Sequence, residues 1–265
     1  MKIYLRYLRS ERVTTLLFAL FLLVFAYVLV VIFPSIAKIK GLKDYIDAMP
    51  AFMKAFLGQE FIDAATLEGF LTVEYFNTTW LLIIGVFCCL FTGALVAEET
   101  EKKTLEILFS APVPRTRFII SKFAGFLTLL LFLSAVSFLG IYLGELQIGE
   151  QMDRRLTVYV FLSGTICIAT IGSIGLFLSC LFNEQRRAVG ATIAIFFSLY
   201  IFNLIAMLLE QYPTLKYFSL FQYYDASKIF KRHAIYWPDM GILLGVFSVM
   251  FAASVFTFRR KDIYL

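Results

Sequence analysis

The sequence predicts an all-α membrane protein with six transmembrane helices. The 265-residue chain is 60% hydrophobic and only 16% charged, which is far too apolar for a soluble domain of this size. Its charges are segregated, and long stretches contain no Asp, Glu, Lys or Arg. Because about 20 helical residues cross a hydrocarbon core of about 30 Å, each stretch predicts one span. The predicted spans are residues 13–34, 75–97, 120–144, 156–182, 188–209 and 239–258.

The long apolar runs favour helices over a membrane β-barrel. Backbone groups in lipid must satisfy their own hydrogen bonds, and a barrel would show alternating strands of about ten residues, which the sequence lacks. Residues 1–265 are therefore predicted to form a single transmembrane domain. All four cysteines fall inside predicted spans, where we interpret them as packing residues, and no metal site is expected: Cys88, Cys89, Cys167 and Cys180.

The distribution of basic residues predicts the orientation of the chain. Six spans place both termini at one face, whose segments carry 14 Lys and Arg, against 10 at the other face. The 14 lie in shorter segments close to helix ends, where the positive-inside rule applies best. Both termini are therefore predicted to be cytoplasmic. The net charge of +5 is modest and spread over loops, which favours contact with the lipid bilayer and not with nucleic acid.

Each segment outside the spans has its own pattern. Lys2, Arg6 and Arg9 at helical spacing predict a basic interfacial helix, with a plain charged flank as the alternative. The outer segment 38–74 carries an amphipathic stripe, which predicts either a lid over an exit or a helix lying at the interface. The outer segment 210–238 is rich in Tyr and Phe and is too broken to span. It predicts a pair of short re-entrant or interfacial helices.

Small residues predict close helix contacts, either within the chain or between protomers. They occur along the fourth span and in the pairs Gly140/Gly144 and Gly241/Gly245. The charge-free stretches argue against a proton relay or a fixed counter-charge for a charged substrate. The sequence also lacks an HExxH or GxSxG motif, so we predict no catalytic residue and do not expect an enzyme.

The loop 98–119 between the second and third spans is the most informative segment. It combines charged residues with a short helical pattern over Lys103–Phe109, which Pro112 and Pro114 end. This pattern predicts a short helix across the membrane face, joined to two spans, through which motion can pass to both. We expect Glu98 and Glu99 to pair with Lys102, Lys103 or Arg115, since unpaired carboxylates at the end of a span are costly. A solvated loop without a partner is the alternative.

The motifs of this loop resemble those of the permease subunits of type-II exporter-like ABC transporters, the ABC-2 type family. That pattern is an acidic residue ending the second span, then T-x-E-x-L, then P-V-x-R, then a Lys in the third span. The matching residues here are Glu98/Glu99, Thr104–Leu108, Pro112–Arg115 and Lys122. The chain departs from the family at Lys103, where Gly is usual.

The resemblance implies that the loop is a coupling helix that docks on a separate ABC ATPase subunit. The implied coupling residues are Glu98, Glu99, Thr104, Leu105, Glu106, Leu108, Pro112 and Arg115. The sequence has no G-x-x-x-x-G-K-[ST] phosphate loop, so ATP is expected on the partner, with no cofactor on this chain. A second permease protomer, identical or different, would complete the pathway.

The implied function is ATP-driven export of an amphipathic or hydrophobic substrate, such as a peptide, a drug or a lipid-like molecule. The implied location is a bacterial or archaeal plasma membrane. The alternative is a non-transporting membrane sensor or assembly scaffold whose cytoplasmic loop docks another partner. A partner that carries a phosphate loop would favour the transporter.

Overall fold

The computed structural model describes residues 2–37, 66–105, 114–209 and 214–261. These ranges are helical with short connections and contain no strand. The predicted amphipathic stripe in segment 38–65 and the loop residues 106–113 lie outside the described residues. The longer helices are α1 (Lys2–Ser10), α2 (Arg12–Ala37), α3 (Leu67–Glu101), α4 (Arg115–Ile148), α5 (Arg154–Leu181), α6 (Gln185–Leu208), α7 (Ala226–Arg232) and α8 (Trp237–Arg260).

Six of these helices are long and apolar enough to cross a membrane, as the hydropathy pattern predicted: α2, α3, α4, α5, α6 and α8. The second of them, α3, begins at Leu67, eight residues before the predicted span. Its extension includes a π-helical stretch, Thr72–Trp80. There the hydroxyls of Thr78 and Thr79 donate to carbonyls five residues earlier, at 2.9 and 2.7 Å. These side-chain bonds give backbone carbonyls in the wide π-helical turns hydrogen-bond donors from the same helix.

Helix α5 lies at the centre of the bundle and packs against α3, α4, α6 and α8. Its small residues permit this close packing. An added Cβ at Gly164 would lie 2.5 Å from the Trp80 ring, and one at Gly175 would lie 2.1 Å from the Thr92 hydroxyl. The large side chains of neighbouring helices therefore fill the space that glycine leaves along α5.

Helix α2 lies at the periphery and packs along α4. The contact depends on Gly140, where an added Cβ would lie 2.6 Å from the carbonyl oxygen of Leu23, and on Gly144, which faces Val30. The sequence left open whether this pair packs within the chain or between protomers. In the structure both glycines pack within the chain. Gly241 and Gly245 on α8 differ, since added Cβ atoms there meet nothing within 4 Å among the described residues.

The aromatic segment before α8 packs on the π-helical stretch of α3. It forms two 3-10 helices, Leu215–Phe218 and Leu220–Tyr223, followed by α7, so the described part holds three short helices where the sequence predicted two. Asn77 accepts the backbone N–H of Ala226 at 3.1 Å, and the Tyr224 hydroxyl donates to Phe76 O at 3.3 Å. At this same end, the buried carboxylate of Glu145 accepts the N–H of Met152 at 3.4 Å.

The opposite end of the bundle, here called the terminal face, is where α3, α5 and α8 end and α4 and α6 begin. Helix α1 packs on α4 at this face. The Tyr7 ring is buried against Gly125, and the hydroxyls of Tyr4 and Thr128 are 3.0 Å apart. The N-terminal segment is therefore a packed helix and more than a charged flank.

Helix α3 ends at this face in a turn in which Lys103 has a left-handed backbone conformation. The N–H of Lys102 bonds to Glu98 O at 3.0 Å, the N–H of Lys103 bonds to Thr100 O at 3.1 Å, and Lys103 has a φ of 54°. This conformation costs a non-glycine residue roughly 1–2 kcal/mol. Lys103 stands at the position where the ABC-2 motif usually has Gly, so the backbone geometry gives a physical reason for that preference.

The glycine contact between α2 and α4 generates a first prediction. Gly140→Ala forces a methyl group against a backbone carbonyl and should lower the free energy of unfolding by about 1–3 kcal/mol. Gly241→Ala is the matched control, since its site is open and alanine favours helix by up to about 1 kcal/mol. Thermal unfolding of the purified variants in detergent measures both. Equal melting temperatures would contradict the packing described.

The end of α3 generates a second prediction. Lys103→Gly should raise the free energy of unfolding by roughly 1 kcal/mol, because glycine adopts a positive φ without strain. Lys102→Gly is the matched control, because Lys102 has a negative φ of −77° and gains nothing from glycine. The same melting experiment in detergent applies. If Lys103→Gly lowers the melting temperature as much as Lys102→Gly does, the backbone of Lys103 is not strained.

Candidate functional site

Five of the eight predicted coupling residues lie in the described parts of the chain, at the terminal face, on either side of residues 106–113 in the sequence. Glu98 and Glu99 occupy the last turn of α3, Thr104 and Leu105 follow directly, and Arg115 begins α4. The other three predicted residues, Glu106, Leu108 and Pro112, lie outside the described residues. The described residues therefore show how the ends of the segment are attached to the helices.

A buried ion pair joins α3 to α4. The ammonium of Lys122 lies 2.9 Å from the Glu99 carboxylate and donates to the carbonyl oxygen of Leu95, also at 2.9 Å. It lies 5.2 Å from the ring centroid of Phe118 and 5.9 Å from that of Tyr7. The Lys122 side chain is only 9% exposed. A buried charge is tolerated only when such partners replace its lost hydration.

The same carboxylate holds the start of the loop. The Thr104 hydroxyl donates to Glu99 Oε2 and to the Glu99 carbonyl oxygen, the latter at 3.2 Å. The next residue, Leu105, is 2% exposed and belongs to the hydrophobic core of the chain. One carboxylate therefore ties together the end of α3, the interior of α4 and the first residues of the loop.

Glu98 is engaged differently. Its carboxylate lies 2.5 Å from the Lys102 ammonium, one helical turn away, and both side chains are partly exposed. The hydrogen bond to Glu98 raises the pKa of Lys102. An exposed pair of this type contributes little to stability, because water and salt screen it.

The far end of the loop is attached to the C-terminal end of the chain. The Arg115 guanidinium donates to the carbonyl oxygens of Arg259 at 3.1 Å and Lys261 at 2.7 Å. The Lys261 ammonium donates in turn to Cys180 O and Phe182 O, both at 3.0 Å, and burial lowers its pKa. These cations bind carbonyls at the ends of α8 and α5, where the helix dipole favours positive charge.

The sequence predicted part of this arrangement. The predicted pairing of Glu98 with Lys102 is present. Glu99 pairs instead with Lys122, which the motif included but the set of coupling residues did not. Arg115 binds carbonyls and neither glutamate. The available signal for Lys122 was a single basic residue in an otherwise apolar span. Another unpredicted contact joins α3 to α6, as the N–H of Gln185 donates to the Glu101 carboxylate at 2.7 Å.

A cavity of about 630 Å³, here called the charged cavity, opens beside the Glu99–Lys122 pair between α1, α2, α3 and α4. Glu11 lines it, and the pKa of this carboxyl is raised by burial and then by the nearby Glu98. No group of three or more His, Cys, Asp or Glu suited to a metal ion occurs in residues 2–37, 66–105, 114–209 and 214–261. The full lining is Ile3, Arg6, Tyr7, Ser10, Glu11, Thr14, Leu90, Phe91, Ala94, Leu95, Glu98, Glu99, Lys102, Thr104, Phe118, Lys122 and Gln185.

The arrangement can transmit force between the ends of the loop at the terminal face and two membrane helices. The Glu99–Lys122 ion pair connects α3 to α4, and the hydrogen bonds of Arg115 and Lys261 connect the start of α4 to the ends of α8 and α5. The four cysteines are buried, in agreement with their interpretation as packing residues.

Comparison with known proteins identifies the family. No curated protein matches the chain. The family model described as "ABC-2 family transporter protein" matches residues 4–263, which is nearly the whole sequence and includes all six membrane-spanning helices. The resemblance drawn from the loop motifs is thereby confirmed, and the chain belongs to the ABC-2 family of membrane transporter proteins.

Proposed function

We propose that this chain is the membrane-spanning permease of an ATP-driven exporter and that segment 98–119 couples it to a separate ATPase subunit. The family match supports a permease of an ABC transporter. The observation that carries the coupling role is the three-way contact of the Glu99 carboxylate with Lys122 and Thr104. Through that contact, a displacement of the segment moves α3 and α4 together.

The geometry distinguishes four of the eight predicted coupling residues from the others. Glu99, Thr104 and Arg115 bind other parts of this chain, and Leu105 is buried in its core. In our proposal these are positioning residues that hold the segment at a defined place on the permease. Glu106 and Leu108 then supply the contact with the ATPase, and the sequence predicts that Pro112 ends the helical part of the segment.

The proposed orientation places the terminal face in the cytoplasm, where an ATPase has access to ATP. The excess of Lys and Arg in the short segments of this face supports it. Arg115 and Lys261, which bind carbonyls at the ends of α8 and α5, lie at the same face. A second permease protomer and two ATPase subunits complete the transporter in this proposal.

The proposed substrate is amphipathic or hydrophobic. The central helices α3 and α5 carry no charged residue in their middle portions, so a pathway beside them offers no counter-charge to a charged substrate. Outward transport follows from the resemblance to exporters of this type.

The docking role of the segment generates a prediction on partner binding. Leu108→Arg and Glu106→Arg should abolish co-purification of an ATPase subunit from native membranes, since each places an unsuited charge in a small interface. Arg187→Ala is the control at the same face, because Arg187 forms an exposed ion pair with Glu184. Two measurements check this prediction: the ATP hydrolysis rate of the purified complex, and the amino-acid sequence of the co-purified partner. A partner without a phosphate loop would favour the scaffold alternative.

The positioning role of Glu99 generates a separate prediction on coupling. Glu99→Gln removes the charge that faces Lys122 but keeps the side-chain size. It should reduce transport per ATP hydrolysed by about tenfold, the effect of one lost charge-assisted contact. The ATPase should still co-purify, because Glu106 and Leu108 are unchanged. Efflux of an amphipathic fluorescent dye from proteoliposomes measures the ratio.

Glu184→Gln is the matched control for Glu99→Gln. It removes a carboxylate at the same face, whose ion pair with Arg187 is exposed. Transport per ATP hydrolysed should stay near that of the unmodified protein. An equal loss in both variants would assign the effect to net charge at the face and not to the buried contact.

A further inference from the structure

The first and second membrane helices leave a groove between them. Helix α2 packs along α4, and its side facing the α-helical part of α3, Leu81–Glu101, borders a space of about 450 Å³. We call this space the apolar groove. It is lined by six side chains, all hydrophobic: Leu17, Phe18, Phe21, Leu82, Ile83 and Val86.

The apolar groove and the charged cavity follow one another along the same two helix faces. On α2, Thr14 lines the cavity, and Leu17 and Phe18, three and four residues later, line the groove. On α3, Val86 lines the groove, and Leu90, four residues later, lines the cavity. Residues three and four apart share one face of a helix, so the two spaces are aligned along one strip.

The length of this strip matches one leaflet of a bilayer. From Leu82 to Glu98 there are 16 residues, or about 24 Å at about 1.5 Å per residue. Half of a hydrocarbon core of about 30 Å, with the headgroup layer on one side, measures roughly 20–23 Å. The strip therefore runs from the headgroup layer at the terminal face to about the middle of the membrane.

The polarity of the strip changes along its length. The groove presents hydrophobic side chains, whereas the cavity presents charges of both signs. Two of these charges lack an ion-pair partner among the residues that the structure describes, namely Arg6 on α1 and Glu11 before α2. Burial and the nearby Glu98 raise the pKa of Glu11, and Ser10, Lys122 and Lys102 offset this only in part. A ligand that carries both an anion and a cation fits this distribution.

We propose that the groove and the cavity together bind one phospholipid from the leaflet at the terminal face, with a headgroup that carries a phosphate and an ammonium. The phosphate binds Arg6, the ammonium binds between Glu11 and Glu98, and one acyl chain fills the apolar groove. The lipid is a resident of the permease and does not depend on which substrate is exported. It connects α1 to the end of α3 beside the Glu99–Lys122 pair.

Native mass spectrometry of the delipidated protein tests this site. Dioleoyl phosphatidylethanolamine and dioleoyl phosphatidylglycerol are added in equal amounts. One phosphatidylethanolamine should bind per chain, about tenfold more tightly than phosphatidylglycerol, which lacks the ammonium. Glycerophosphoethanolamine, the headgroup without acyl chains, should not displace it. Equal binding of the two lipids, or displacement by the headgroup alone, would overturn the proposal.

Paired variants test each end of the site. Arg6→Ala should weaken phosphatidylethanolamine binding by about tenfold, and Arg6→Lys should restore most of it. Arg9→Ala, on the same helix but outside the cavity lining, should leave binding unchanged. Leu17→Trp should block the acyl chain, whereas Leu20→Trp should not, since Leu17 and Leu20 are 62% and 61% exposed but only Leu17 lines the groove.

A last arm tests whether a second copy of the chain covers the groove instead. Leu17→Cys introduces an exposed thiol into a chain whose four native cysteines are buried. Oxidation in native membranes should leave this variant monomeric on a denaturing gel. A disulfide-linked dimer, or lipid binding that is the same in the Leu17→Trp and Leu20→Trp variants, would overturn the lipid assignment. Melting temperatures of all variants establish that each is folded.

Discussion

The terminal face of this transporter depends on the burial of one charge, the ammonium of Lys122. Placing a cation between helices costs several kcal/mol unless hydrogen-bond acceptors surround it. Glu99, the Leu95 carbonyl and two aromatic rings supply that surrounding. Since these partners come from α1, α3 and α4, the charge can be satisfied only when the three helices hold one arrangement. The attachment of the loop between α3 and α4 through Thr104 follows from the same carboxylate.

Basic residues at this face perform two physical tasks at once. By number and position they predict the orientation of the chain in the membrane. In the folded structure Arg115 and Lys261 also donate to carbonyls at the carboxyl ends of α8 and α5, and Lys122 donates to Leu95 O inside α3. Carbonyls at a helix end lack partners within the helix, and a cation from another segment both satisfies them and interacts favourably with the helix dipole. The basic residues that predict the orientation of this chain thus also link its helices.

Hydropathy was sufficient to predict the number and the approximate places of the membrane helices, because a long apolar run in lipid has one stable backbone form. The local pair Glu98–Lys102 was also predictable, since it follows from helical spacing. The partner of Glu99 was not, because Lys122 lies 23 residues away, across a segment whose path the sequence does not define. The same limit applied to Gly140, which packs against α2, and to Gly241, where an added Cβ would meet nothing within 4 Å in the described part of the chain. The extension of α3 escaped prediction because Thr72–Trp80 is polar and aromatic and forms a π-helix.

The length of helix α4 and the spacing of its buried charged residues are both comparable to one bilayer thickness. The helix has 34 residues, or about 51 Å, which exceeds a whole bilayer of about 40–45 Å with its headgroups. Within it, Lys122 and Glu145 are both buried in protein and bonded near opposite ends, 23 residues or about 34 Å apart. That separation is close to the thickness of a hydrocarbon core. A bilayer of a different thickness must therefore deform, or the helix must tilt, and either response acts directly on the end of α4 that carries Arg115 and Lys122.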